Sequence, residues 1–135
     1  MDVFAREGTF GAGLEGLGSG AAFLEEALAA GSCPPAVANR FQIAFDEIAS
    51  NIVRYSGAET FDVRVTREGE VWTVACSDDG VPWNPLEHAD PDTTLAAEDR
   101  PIGGLGLLMV KKLMDEVVYA QVAGRNVLTL RKGAA

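Results

Sequence analysis

FDEIASNIVRYS, residues 45–56, closes a helical pattern that begins at Val37, and its polar residues decide how the chain is read. Val37, Phe41, Ile48, Ile52 and Tyr55 recur at helical spacing, with Ala44 and Phe45 filling the gap. Beside this apolar stripe run Arg40, Ala44, Glu47, Asn51 and Arg54, which border it instead of opposing it. Glu47 and Asn51 therefore sit one turn apart, with the small Ala44 leaving room next to them. Taken alone, the pair reads as a solvated helix face. Facing a pocket, the same pair can handle a metal ion and a proton.

Working upstream, Ser32 is the expected N-cap, with Pro34 and Pro35 in the first turn, and Gly57 is the expected stop. Before that helix, GTFGAGLEGLGSG (residues 8–20) reads as a loop. Gly11, Gly13 and Gly16 satisfy GxGxxG, but no buried apolar strand precedes them and the glycine run continues through Gly18 and Gly20. A dinucleotide-binding turn is therefore not supported. Ser19 is expected to cap a helix over AAFLEEALAA, which Gly31 ends. The first ten residues suggest a weak edge strand.

Downstream, FDVRVTR alternates Phe61, Val63 and Val65 against Asp62, Arg64 and Thr66, the pattern of a half-buried strand. Glu68 and Gly69 turn the chain into VWTVACS, apolar on both faces and so central in a sheet. SDDGVPWNP then ends regular structure, and residues 86–102 read as a mobile loop. From Gly104 to Glu116 the spacing of Leu107, Leu108, Val110, Leu113 and Met114 is helical again. VVYAQVA and NVLTLRK follow as two strands around a Gly124–Arg125 turn. Helix, helix, hairpin, helix and hairpin make an α+β arrangement with the helices on one sheet face.

Composition narrows the function classes. The 135 residues are expected to form one domain, residues 1–135, and 47% hydrophobic with 23% charged residues fits a soluble globular protein. Twenty acidic against 11 basic residues give a net charge of -9, which argues against nucleic acid as a partner. Cys33 and Cys76 form no CxxC pair and read as reduced thiols of a cytoplasmic protein. No signal peptide and no membrane-length apolar run are read.

DEIASN, then DDGVPWNP, then GGLGLLMVKKLMDEV followed by a strand pair resembles the Bergerat-fold ATPase and kinase (GHKL) family. Within it, the chain is similar to the short anti-sigma-factor serine kinases, from about Ser19 to Lys132. The resemblance implies a two-layer α+β sandwich, with a mixed, mostly antiparallel sheet covered on one face by three helices. It implies ATP and Mg²⁺, with Asn51 as the metal ligand and Glu47 as the general base for an attacking hydroxyl. It further implies that Asp78 accepts from the adenine amine and that Gly80 lets the backbone pass close to the base. Gly103, Gly104, Leu105 and Gly106 would hold phosphates at a helix N-terminus, a natural anion site. Residues 86–102 would be a lid, with Thr93, Thr94 and Arg100 as candidate contacts, and Arg54 a further cation. Trp83, Asn84 and Pro85 depart from the family's usual Phe–Asp–Pro, and Asn126 stands where many relatives have Thr near adenine.

The implied function is phosphorylation of a Ser or Thr on an anti-sigma antagonist protein. A sigma factor would be a second partner, and the chain would form a homodimer. A non-catalytic ATP-binding partner switch is one alternative. A detached catalytic domain of a histidine-kinase-like system is another; the only histidine, His88, lies in the expected lid, so the chain cannot be a complete histidine kinase.

Overall fold

Alternation in the two middle strands builds one face of the core. The computed structural model describes residues 3–88 and 104–134. Strands β1 (Val3–Gly11), β2 (Thr60–Glu68), β3 (Val71–Asp78), β4 (Glu116–Val122) and β5 (Arg125–Gly133) form one sheet in the order β1-β2-β3-β5-β4. Phe61, Val63 and Val65 of β2 and Trp72, Val74 and Cys76 of β3 point to the same side and are buried. Helices α1 (Leu14–Ala30), α2 (Pro35–Asn51) and α3 (Gly104–Leu113) supply the opposing layer through Leu24, Leu28, Phe41, Phe45, Ile48, Leu107 and Val110. The architecture is the expected α+β sandwich, with β3 at the centre of the sheet. Among the described residues every pairing is antiparallel, so the sheet they form is not mixed.

The glycine-rich stretch departs most from the expectation. Strand β1 continues to Gly11 and α1 starts at Leu14, with Gly13 rather than Ser19 in the cap position. Gly16 and Gly20 permit close packing, whereas Gly11, Gly13 and Gly18 have open space around them. A Cβ on Gly16 would lie 1.6 Å from the Gly11 carbonyl oxygen, and one on Gly20 would lie 3.1 Å from the Phe45 ring. Glycine weakens a helix by about 1 kcal/mol relative to alanine, and that cost is offset by seating α1 directly on the strand and on the two aromatic rings.

Ser32 is not the cap of α2 either. It takes a left-handed conformation (φ 62°) in the tight link after α1, and Pro34 occupies the cap position. The helix then widens into a π-helical turn over Ile52–Ser56, which Gly57 stops in the left-handed region at φ 70°, as expected. Helix α3 ends at Leu113, before Glu116, which opens β4. The last hairpin turns on Ala123 and Gly124, with Arg125 already in β5. Both turn residues have positive φ, which matches the twist a two-residue hairpin loop requires.

Candidate functional site

Between α2 and the adjoining ends of β3, β4 and β5 lies a slot of about 330 Å³, mouth included. Ile48, Ile52, Cys76, Trp83, Pro85 and Leu128 form its apolar walls; Asn51, Ser56, Asp78, Tyr119 and Asn126 bring polar atoms to it. Apolar walls with a few convergent polar groups are the usual make-up of a small-molecule site. Burial, with the Asp78 charge adding to it, pushes the Cys76 thiol up to about 12, so it is a neutral wall at physiological pH. Burial likewise pushes the distant Cys33 thiol up to about 11. Both cysteines are free.

Asp78 ends β3 and is buried. Its Oδ1 accepts from the Gly80 N–H at 2.9 Å and from Asn126 Nδ2 at 3.1 Å. Those bonds fill the two lone-pair sites of Oδ1, while Oδ2 accepts nothing among the described residues. Gly80 has a reason in the protein's own packing to lack a side chain. A Cβ there would meet the Ser56 carbonyl oxygen at 2.2 Å, and the same oxygen accepts from the Val81 N–H at 2.7 Å. The π-helical turn thereby pins the loop after β3, and the Tyr55 and Trp83 rings pack together at 5.1 Å between centroids.

Asn51 lines the slot from α2, and Glu47 stands one turn before it. Asn51 is buried on α2, and its Nδ2 donates to Glu47 Oε1 at 3.4 Å. The amide orientation follows from that partner, since the opposite one would set two oxygens against each other. Asn51 Oδ1 is then buried with no hydrogen-bond partner among the described residues. Leaving such an acceptor unmade costs about 1–3 kcal/mol, and a hard cation is a partner suited to a neutral amide oxygen. Among the described residues no group of three or more His, Cys, Asp or Glu side chains could hold a metal, so Asn51 would share the ion with ligand oxygens and water. The Glu47 carboxylate lies directly against the first turn of α3: a Cβ on Gly106 would meet its Cδ at 2.2 Å.

Of the expected site residues, Asn51 and Asp78 line the slot; Glu47 adjoins it through Asn51, Gly106 packs on Glu47, and Gly80 bonds to Asp78, while Gly104 and Leu105 open α3. Arg54 is exposed, as is Arg40 of the same line. Gly103, Arg100, Thr93 and Thr94 lie outside the described residues, as does most of the expected lid; its start is a short 3-10 turn over Pro85–His88. Three participants were not legible as such. Tyr119 reads as an ordinary strand residue, the π-helical turn leaves no mark in a helical spacing, and Asn126 reads only as a departure from the family's Thr. The pairing of Asn126 with Asp78 across β3 and β5 would have identified it, but that register is set by the fold.

Residues 10–132 match the histidine kinase-like ATPase domain family. The chain belongs to that family. No curated protein sequence matches it. Among solved structures, this ATPase domain is similar to the RsbU and RsbW domains of Rv1364c from Mycobacterium tuberculosis, with a TM-score of 0.67 at 18% identity. That match covers 96% of this chain and 32% of the other, so the chain spans about a third of its length. The SiaB-SiaC complex from Pseudomonas aeruginosa gives a TM-score of 0.58 at 16% identity, covering 94% of this chain and 88% of that one. The Acinetobacter baumannii histidine kinase AdeS gives 0.52 at 16%, over 96% and 68%. These likenesses establish the shared GHKL fold. No helix among the described residues is long and apolar enough to cross a membrane.

Proposed function

We propose that this ATPase domain, one domain over residues 1–135, is an ATP–Mg²⁺-dependent serine/threonine protein kinase of the anti-sigma type. The observation that carries the reading is the buried, unpartnered Asn51 Oδ1 beside the Glu47 carboxylate, at the N-terminal turn of α3. Asn51 would hold Mg²⁺ through Oδ1, and the ion would supply neutralisation of the phosphate charge. Asp78 Oδ2 would accept from the adenine amine, where guanine offers a carbonyl. The backbone N–H groups opening α3 from Gly104, with Gly103, Leu105 and Gly106, would face the phosphates. Arg100 would add a cation from the lid.

Glu47 is the proton acceptor in this scheme. It removes the proton of a Ser or Thr hydroxyl on a partner protein as the oxygen attacks the γ-phosphorus. The bond from that phosphorus to the bridging oxygen breaks, and ADP leaves with the electron pair. Resemblance to a domain solved as RsbW and to the SiaB-SiaC complex supports an antagonist protein as acceptor. A sigma factor as second partner, a homodimeric state and a cytoplasmic location belong to the same reading. Incubation with γ-labelled ATP and candidate antagonists tests it. Label on Ser or Thr of an antagonist is expected; ATP binding without transfer to any would favour a non-catalytic switch.

A further inference from the structure

We infer that Asn126 is a positioning residue that sets the base preference of the slot. Its carboxamide spends every hydrogen-bonding capacity inside the protein. Nδ2 donates to Asp78 Oδ1 at 3.1 Å and to the Val81 carbonyl at 2.9 Å. Oδ1 accepts from the Trp83 N–H at 3.3 Å and from the Tyr119 hydroxyl. The Trp83 N–H can only donate and the Val81 carbonyl can only accept, so the orientation of the amide is determined from both sides. Two donors and two lone pairs are thereby used up, and Asn126 has nothing left with which to bind a ligand directly.

Its effect passes through Asp78 and through the loop. With the Gly80 N–H, Asn126 saturates Asp78 Oδ1, which leaves Oδ2 as the only acceptor that carboxylate can offer the slot. A carboxylate held this way favours a base edge that carries an amine and opposes one that carries a carbonyl. The same amide holds both Val81 and Trp83, fixing the loop whose Trp83 and Pro85 form one wall. Tyr119 on β4 locks the amide from the far side, so three strands and the loop share one side chain. Without Asn126, Asp78 Oδ1 keeps the Gly80 N–H but loses its second donor, and the carboxylate can be reached at either oxygen.

The inference rests on the proposed adenine contact of Asp78, and the test separates the two. ATP and GTP affinities are measured by calorimetry for the wild type, Asn126→Ala and Tyr119→Phe, with thermal melts of each. A wild type that prefers ATP, and a preference reduced about tenfold in Asn126→Ala, is expected from the loss of a hydrogen bond to a charged group. Tyr119→Phe, which removes a single hydroxyl and serves if Asn126→Ala does not fold, is expected to shift the ratio in the same direction by less. A merely structural role would lower both affinities together and leave the ratio alone. An ATP-preferring wild type whose ratio is unchanged in the folded variants overturns the inference. Equal wild-type affinities overturn the adenine contact itself.

Discussion

An unpartnered buried oxygen is uncommon in a folded protein, and Asn51 Oδ1 is one. Replacing Asn51 with Ala removes that oxygen and also the donor to Glu47 Oε1. If the oxygen is a metal ligand, the loss in nucleotide affinity has to depend on Mg²⁺. Asn51→Ala is therefore expected to weaken ATP binding in the presence of Mg²⁺, with a smaller effect on ADP without metal. Titration calorimetry of both nucleotides with Mg²⁺ and with chelator checks this; equal losses in the two conditions would make Asn51 a packing residue. Asn51 stands out in the sequence only together with the two later blocks, because on its own helix the pair with Glu47 reads as a solvated face. The orphaned state of the oxygen was not legible, since it depends on what surrounds it.

At the scale of elements, the account depends on close packing at glycine. A side chain at position 16 has to displace the Gly11 backbone, since even a Cβ would lie 1.6 Å from its carbonyl oxygen. Gly16→Val is expected to destabilise the fold by about 1–3 kcal/mol, the range for overpacked sites, and denaturant unfolding measures it. The second half of the chain carries a pH-dependent tie. Asp115, between α3 and β4, accepts from the Gly133 N–H at 2.8 Å, and that bond, with Lys132 beside it, holds its carboxyl below the usual carboxylate range. A lowered folded-state pKa contributes stability above the ordinary carboxylate range, and the contribution fades as pH falls through the lowered value. Asp115→Asn should thus melt earlier than the wild type at neutral pH. The gap should close in acid, as melting across a pH series would show. Element types were mostly legible from apolar period. The exception, residues 8–20, failed because glycine marks both a loop and a close helix contact, and only the packed neighbours distinguish them.

At the scale of the whole molecule, two of the three blocks meet at one slot, through Asn51 of α2 and Asp78 at the end of β3, and the third reaches it through the contact of Gly106 in α3 with Glu47. Order and spacing single out the three blocks, whereas the Asn126 network was hidden because it needs the β3–β5 register and the edge strand that brings Tyr119. The central claim is that this site transfers phosphate, with Glu47 as the base. The most direct measurement compares wild type and Glu47→Ala for ATP affinity and for phosphotransfer to an antagonist that the wild type labels. ATP affinity should stay near the wild-type value, or tighten slightly as a carboxylate is removed from beside the triphosphate. Phosphotransfer should slow by about 10²-fold or more, the range for losing a positioned base. Transfer by Glu47→Ala at the wild-type rate would contradict the account.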